Sequence, residues 1–190
     1  MVPTRWSDWS SAAEAAYLEL AERTDRVFAA GLSMGGSLAI WLAEQHPEIA
    51  GIILVNPMVD PPASSFRDML SGMIEEGAVS VPAIGSDIAM SDGTESAYDA
   101  TPLEPMLSLF EGVDEIAERL GDLRCPVLLF SSRTDHVVPP ESGDLLAARA
   151  AGPLERVWLE RSFHVATLDY DALEIQERAV GFVNKVAIEK

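Results

Sequence analysis

The chain has 190 residues, 48% of them hydrophobic, which is the size and composition of a single globular domain over residues 1–190. Its formal net charge of −18 excludes unaided binding to nucleic acid or to an anionic membrane surface, because like charges repel. The single cysteine, Cys125, excludes an internal disulfide and a zinc site held by several cysteines, and no apolar run approaches the roughly 18 residues of a membrane-spanning helix. We therefore expect a cytoplasmic protein without a membrane span.

The first part of the chain alternates helix and strand. Apolar residues at three- and four-residue steps predict an amphipathic helix over residues 8–23. A short apolar run predicts a buried strand over residues 26–32, and residues 35–45 predict an apolar helix that ends before Pro47. Residues 51–56 predict a second buried strand. A strand, a helix and a strand at this spacing form a βαβ unit, whose strands are parallel.

The rest of the chain divides into an irregular segment and a regular one. Residues 58–110 are rich in Pro, Met, Gly and Ser and have weak periodicity, whereas residues 111–190 return to alternating helix and strand. The predicted elements of that last segment are a helix ending near Gly121, a strand over 126–131, a helix over 145–150, a strand over 155–160 and a helix over 171–185. The mixed polarity of the 155–160 strand indicates the edge of a sheet.

Residues 31–36 read GLSMGG and contain the pattern Gly-x-Ser-x-Gly between a predicted strand and a predicted helix. This context is typical of a nucleophile elbow, a tight and strained turn that raises a serine hydroxyl above the sheet. We expect a Cβ at either flanking glycine, Gly31 or Gly35, to collide with the neighbouring strand or helix. The helix N-terminus that follows favours an oxyanion. The pattern therefore predicts a nucleophile at Ser33.

A nucleophilic serine needs a base, and the base needs an orienting carboxylate. Asp135 directly follows a predicted strand, at the carboxyl end where parallel sheets assemble their sites. Its alternative role is an Asx turn or a helix N-cap. His164 follows the last predicted strand and is the expected base, and its alternative role is a packed loop histidine.

Two other histidines and three other carboxylates are the remaining candidates. His46 precedes Pro47 and suits the C-terminus of a helix, where it favours the helix dipole. His136 suits a residue that shapes the site better than it suits the base, because neighbours at a strand end point in different directions. The other candidate carboxylates are Asp144, Asp169 and Asp171, the last two of which look like caps of the final helix.

The order Ser33, Asp135, His164, in the segments GLSMGG, SSRTDHVVP and SFHVATLDYD, resembles the α/β-hydrolase superfamily. The most similar branch is that of carboxylesterases and monoacylglycerol-lipase-like enzymes. The resemblance covers nearly the whole chain and is strongest over residues 26–57 and 121–184. It implies an α/β fold with a mostly parallel sheet, flanking helices and a cap insertion. It also implies a serine ester hydrolase that uses no cofactor and no metal.

The same resemblance implies a role for each site residue. Ser33 attacks the acyl carbonyl of a short- to medium-chain ester, and His164 acts first as base and then as acid. Asp135 fixes the tautomer of that histidine, and the backbone N–H of Met34 is one oxyanion donor. The alternatives are another chemistry on the same scaffold, namely thioester or C–C hydrolysis or acyl transfer, and a catalytically impaired or binding protein.

The segment over residues 58–110 fits the cap insertion of this family. It holds five of the seven methionines, which suit either a pliable apolar acyl pocket or the filling of gaps under an irregular lid: Met58, Met69, Met73, Met90 and Met106. The expected substrate-pocket residues are Leu32, Met58, Met106, His136, Val137 and Val165.

The predicted sheet is shorter than the sheet of the family. Its four strands match the second half of the family's sheet, and residues 1–10 contain no counterpart of the earlier strands or of the loop with the second oxyanion donor. We therefore expect an N-terminally shortened hydrolase in which the 26–32 strand lies at an edge. An unpaired apolar edge favours association, so we also expect a homodimer or a larger homo-oligomer.

Overall fold

The fold is taken from a computed structural model, which describes residues 3–188. In chain order the elements are α1 (Trp6–Ala21), β1 (Phe28–Leu32), α2 (Met34–Gln45), β2 (Gly51–Val55), α3 (Ser64–Glu75), β3 (Ser80–Pro82), β4 (Ala100–Pro102), α4 (Leu103–Arg119), β5 (Val127–Ser132), α5 (Glu141–Arg149), β6 (Leu154–Leu159) and α6 (Ala172–Ile188).

The main sheet has four strands in the order β1-β2-β5-β6, and all three strand pairs are parallel. Every residue of the two central strands, β2 and β5, is buried. The α/β fold with a parallel sheet is therefore confirmed. The structure also places β1 and β6 at the two edges, as expected. The prediction of a buried strand over residues 26–32 is wrong, because the residues of β1 are only partly buried or exposed at this edge.

Helices cover both faces of this sheet. Ile52 and Leu54 point to one face, where they pack with residues of α1, α2, α4 and α5, and Ile53 and Val55 point to the other face, which α6 covers. Successive side chains of a strand alternate between faces, so burial on both sides requires an uninterrupted apolar run. This requirement explains why β2 contains no polar residue and why β5 begins with four apolar residues.

Two helices of the second half begin earlier than their periodicity predicted. The helix expected to end near Gly121 begins at Leu103, and its first turns pack Leu103 and Phe110 against Leu70 of α3. The helix expected from residue 145 begins at Glu141. The periodicity did not include its first turn, because the buried residues there, Ser142 and Gly143, carry no apolar signal. No helix within residues 3–188 is both long and apolar enough to cross a membrane.

The irregular segment over residues 58–110 forms α3, the two-stranded antiparallel sheet β3–β4 and the first half of α4. A bidentate ion pair between Arg67 and Asp114 attaches α3 to α4. Because α4 runs without a break across residue 110, the predicted end of the cap falls inside a helix. The division of the chain into a hydrolase domain and a cap insertion stays a prediction.

Candidate active site

Ser33 lies in a strained turn between β1 and α2. Its backbone has φ 54° and ψ −121°, in the left-handed half of conformational space that non-glycine residues rarely adopt. Its N–H donates to the carbonyl oxygen of Val55 at 3.0 Å, and its own carbonyl accepts the first bond of α2, from the N–H of Ser37. Backbone strain of this kind is concentrated at functional sites.

The glycines around Ser33 agree with the sequence prediction at one position and differ from it at another. A Cβ on Gly31 would overlap the carbonyl group of Gly35, which confirms the expectation for Gly31. The expectation for Gly35 is wrong, because a Cβ there would meet nothing within 4 Å. The second close approach falls on Gly36, where a Cβ would lie 2.8 Å from the Cβ of Pro57. The helix turns Gly35 toward open space and turns Gly36 toward the end of β2.

Asp135 and His164 lie in the loops that follow the neighbouring strands β5 and β6. His164 Nδ1 is 2.8 Å from Asp135 Oδ2. A carboxylate in this position keeps the proton on Nδ1 and leaves Nε2 as the acceptor. The other oxygen of Asp135 accepts the N–H groups of Val137 and Val138, both at 2.8 Å. The Asx turn that the sequence offered as an alternative therefore exists beside the histidine contact, on a different oxygen.

Asn56 holds the backbone of His164 from the sheet side. Its Nδ2 donates to the carbonyl oxygen of His164 at 2.8 Å, and its Oδ1 accepts the N–H of Ser132 at 2.8 Å. Asn56 adopts φ 45°, which asparagine tolerates better than most residues. Sequence reasoning missed this residue, although an asparagine between a buried strand and Pro57 is a signal for such a turn.

The end of β2 joins the serine to the histidine. The N–H of Ser33 bonds to Val55, and the next residue, Asn56, bonds to His164. Within residues 3–188 the Oγ of Ser33 makes no hydrogen bond with the His164 ring, and contacts of this type commonly tighten only when substrate binds. The candidate nucleophile, base and carboxylate thus lie at the same end of the sheet, at the carboxyl ends of β1, β5 and β6.

This chain is similar to known proteins over nearly its whole length. A family model described as "Serine aminopeptidase, S33" matches residues 5–171. The chain belongs to this α/β-hydrolase family. It is 40% identical over 190 residues to the thermostable monoacylglycerol lipase of Bacillus sp. (strain H-257), a match that covers 98% of this chain and 74% of that relative. The chain is therefore a lipase- or esterase-like serine hydrolase.

Two solved structures are similar to this α/β hydrolase. One belongs to a study of LipS and LipT, two metagenome-derived lipolytic enzymes, and is 38% identical with a TM-score of 0.91, covering 97% of this chain and 75% of that chain. The other is the monoacylglycerol lipase of Paleococcus ferrophilus, with 18% identity and a TM-score of 0.76, covering 96% of this chain and 75% of that chain. At that lower identity the second likeness shows the fold alone.

The other candidate histidines of the hydrolase have different partners. His46 ends α2, where its ring nitrogens face Glu14 at 3.0 Å and Glu48 at 3.4 Å. His136 Nδ1 lies 2.7 Å from Oδ1 of Asp87, and its ring packs edge-on against Phe163. Neither ring forms a hydrogen bond or an ion pair with Asp135.

The runner-up carboxylates of the hydrolase hold loops or surface pairs. Asp144 forms an exposed ion pair with Arg156. Asp171 directly precedes α6 and its carbonyl oxygen accepts the N–H of Ile175, so it occupies the expected N-cap position. The side chains of Asp171 and Asp169, however, bond to loop residues. Asp171 accepts the N–H groups of Arg161 and Ser162, and Asp169 accepts those of four residues, Ala89, Met90, Phe163 and Tyr170. These carboxylates fix the loop that carries His164.

A cavity of about 490 Å³ lies beside the elbow of the hydrolase. Met34, the residue after Ser33, lines it together with Val137 and with side chains of the β2–α3 loop, α3 and α4. Of the six expected pocket residues, the structure places Met58, Met106 and Val137 on its wall. Aromatic and aliphatic groups dominate the rest of the lining, which suits an apolar guest.

The other three expected pocket residues are not on the wall of this cavity. Leu32 points to the opposite face of the sheet, against the cluster that α6 covers. Val165 is buried, and its N–H bonds to the carbonyl oxygen of Asp87. His136 is held by the carboxylate of Asp87. The pleat of β1 sets the position of Leu32, and the 83–99 loop holds His136 and Val165. The local sequence pattern indicated neither of these effects.

The methionines of the irregular segment divide between both of the roles considered for them. Met58 and Met106 line the cavity and also pack against the cluster of Leu70, Leu103 and Phe110. Met73 packs against that cluster without reaching the cavity, and Met69 is exposed. Two methionines therefore suit an adaptable pocket wall, and one fills a gap under α3.

Other reactive groups do not compete with Ser33. Burial raises the pKa of the Cys125 thiol to about 11, so this cysteine is a thiol at neutral pH and a poor nucleophile. Within residues 3–188 no three His, Cys, Asp or Glu side chains are grouped closely enough to hold a metal ion.

Proposed function

We propose that this α/β hydrolase cleaves short- to medium-chain carboxylic esters through Ser33, His164 and Asp135, with a covalent acyl-enzyme. The observation that carries the proposal is the buried His164–Asp135 pair, 2.8 Å apart, at the same carboxyl end of the sheet as the strained serine. A histidine held in this way is the base that a serine hydroxyl needs, because a free serine is a weak nucleophile at neutral pH.

In the first half of the proposed reaction, Ser33 Oγ attacks the acyl carbonyl carbon while His164 Nε2 takes the hydroxyl proton. The carbonyl π electrons move to its oxygen, and the tetrahedral intermediate carries the negative charge there. When the intermediate collapses, the bond to the alkoxy oxygen breaks and His164 returns the proton to the leaving alcohol. Ser33 is left as an ester of the acyl group.

In the second half, water replaces the alcohol. His164 removes a proton from water as the water oxygen attacks the acyl carbonyl, and the proton then passes to Ser33 Oγ as the acid leaves. Throughout, Asp135 keeps the imidazole ring oriented and stabilises its protonated form through the bond to Nδ1. The serine, the histidine and the carboxylate end the cycle unchanged.

The first turn of α2 supports the proposed oxyanion site. The first intrahelical bond runs from the N–H of Ser37 to Ser33, so the N–H of Met34 has no acceptor within the helix. It lies at the positive end of the helix, next to the reacting serine. One well-placed donor of this kind stabilises the transition state by roughly 3 kcal/mol.

The substrate class follows from the cavity. Its volume of about 490 Å³ and its apolar wall suit an acyl chain of short to medium length. Asp60 is an exposed carboxylate at its margin, and the net charge of the whole chain is −18, so a neutral ester enters more readily than an anionic one.

Hydrolysis of nitrophenyl esters of graded acyl length tests the proposal. The wild-type chain is expected to release nitrophenol and to react with a fluorophosphonate at Ser33, located by mass spectrometry of the labelled peptide. Ser33→Ala is expected to lose both properties, whereas the exposed Ser91→Ala is expected to keep them. Ester hydrolysis that persists in Ser33→Ala would refute the proposed nucleophile.

Self-association belongs to the same proposal. Among residues 3–188 no strand pairs with the outer side of β1, and exposed sheet edges favour pairing with another chain. Light scattering is expected to give a mass of two or more copies, and Ala30→Lys, on an exposed position of β1, is expected to lower it. Ala148→Lys, on exposed α5, is the control. A monodisperse monomer would contradict the homo-oligomer.

The cytoplasmic location stays a prediction.

A further inference from the structure

Asp87 lies in the 83–99 loop between β3 and β4, and its carboxylate reaches into the candidate active site. Oδ2 accepts the backbone N–H of His164 at 3.0 Å and the backbone N–H of His136 at 3.1 Å. Oδ1 lies 2.7 Å from Nδ1 of His136, and the side chain is only 12% exposed. In addition, the carbonyl oxygen of Asp87 accepts the N–H of Val165 at 3.0 Å.

These bonds join the two loops that carry the acid–base pair. His136 directly follows Asp135 in the loop after β5, whereas His164 lies in the loop after β6. One carboxylate oxygen bonds to both loops, so it sets the separation across which the Asp135–His164 bond forms. Since Asn56 holds the carbonyl oxygen of His164 from the sheet side, the backbone of His164 is held from two directions.

The loop that supplies Asp87 is itself held in place. Asp169 accepts the N–H groups of Ala89 and Met90 in that loop, and with the same carboxylate it accepts the N–H of Phe163 beside His164. Burial opposes ionisation of Asp87, but the bonds from His136 and His164 outweigh it and lower the pKa of Asp87. The acceptor is therefore charged near neutral pH, which strengthens both backbone bonds.

We propose that Asp87 is a positioning residue, which holds His164 from the 83–99 loop and so aligns the base only while that loop is seated against the sheet. This inference rests on the proposed role of His164. The physical reason is that an error of about 1 Å in the position of a catalytic group can lower a rate by roughly 100-fold. Displacement of the 83–99 loop is therefore expected to slow proton transfer by His164 more than it weakens substrate binding.

Three substitutions of Asp87 separate its acceptor geometry from its charge. Asp87→Ala removes the acceptor, and kcat for a nitrophenyl ester is expected to fall by about 10–100-fold while KM changes by less than about threefold. Asp87→Asn keeps one oxygen for the two backbone N–H groups and is expected to recover most of kcat. Asp87→Glu keeps the charge but moves the carboxylate outward, so it is expected to recover less than Asp87→Asn.

Asp99→Ala is the matched control, because Asp99 is an exposed aspartate of the same loop. It is expected to leave kcat unchanged. A wild-type kcat in folded Asp87→Ala would overturn the inference, and so would a kcat of Asp87→Glu equal to or above that of Asp87→Asn. The second comparison holds even if Asp87→Ala does not fold. Failure of the proposed function would appear differently, as equal activity of the wild type and Ser33→Ala.

Discussion

His164 Nδ1 lies 2.8 Å from Asp135 Oδ2, and the two side chains are only 6% and 1% exposed. Little water can compete for this bond, so it is stronger than the same bond at the surface. Asp135 uses its second oxygen to accept the N–H groups of Val137 and Val138. The carboxylate is thus fixed by its own loop before it orients the imidazole.

Substitution of Asp135 tests this relationship. Asp135→Asn preserves the shape of the side chain but removes the charge that keeps the proton on Nδ1, so we expect kcat to fall by about 10³–10⁴-fold. The measurement is the initial rate of nitrophenyl ester hydrolysis. Asp144→Asn is the matched control, because Asp144 also follows β5 but forms an exposed pair with Arg156. Equal loss in both variants would contradict the assignment of Asp135.

The glycines of the elbow are expected to differ in their tolerance of alanine. A Cβ on Gly31 would overlap backbone atoms of Gly35, so Gly31→Ala should lower the free energy of unfolding by roughly 3–5 kcal/mol or prevent folding. A Cβ on Gly35 meets nothing within 4 Å, and Gly35→Ala should be neutral or stabilise the helix by up to about 1 kcal/mol. Urea unfolding monitored by circular dichroism measures both. A large loss in Gly35→Ala would contradict the geometry of this turn.

Glu44 is expected to make stability depend on pH. Both of its carboxylate oxygens are buried without a hydrogen-bond partner, and burial raises the pKa of Glu44 from 4.5 to about 8, against the opposing charge of Arg119 and aided by Asp122. The folded chain therefore keeps a proton that the unfolded chain loses. Stability is highest below about pH 4.5 as far as this group is concerned, and falls as the pH rises to about 8.

Glu44→Gln removes this dependence. We expect the variant to match the wild type near pH 5 and to exceed it by roughly 3–5 kcal/mol near pH 9, as measured by urea unfolding at both values. Glu177→Gln, on the exposed side of α6, should leave the difference between the two pH values unchanged. An unchanged difference in Glu44→Gln would show that Glu44 does not titrate in this range.

The cavity wall is expected to set the acyl length. Met106 lines the cavity, so Met106→Trp should fill part of it and lower kcat/KM for the longest accepted ester by about 10-fold or more, with a smaller effect on acetate. Met69→Trp is the control, because Met69 lies on α3 but is 52% exposed. Equal shifts in acyl preference for both variants would contradict the cavity as the acyl site.

Local pattern was sufficient for the elements of the main sheet. The strands β2 and β5 are buried on both faces, so they are continuous apolar runs, and the prolines and glycines beside them mark their ends. The order of Ser33, Asp135 and His164 after separate strands also follows from the chain alone. A parallel sheet brings such strand ends to one end of the sheet, which is why the sequence could place these residues together.

Local pattern failed where a residue's environment comes from distant parts of the chain. Asp87 lies in a weakly periodic segment, and it contacts His164 only because the 83–99 loop folds back over the loop after β6. Gly35 and Gly36 are neighbours in one motif, yet only Gly36 faces Pro57. Leu32 adjoins the serine in sequence, but the pleat of β1 turns it to the opposite face.

The sequence by itself indicated an α/β fold, the hydrolase family to which the chain belongs, and the three residues to which a serine hydrolase mechanism assigns chemistry. Those features depend on composition, periodicity and the positions of strand ends, all of which are local properties. Only the tertiary structure decided the walls of the cavity, the burial of Glu44 and the bonds that hold His164 from Asn56 and Asp87. The 190 residues that first indicated one domain thus contain a site whose alignment depends on contacts between segments far apart in the chain.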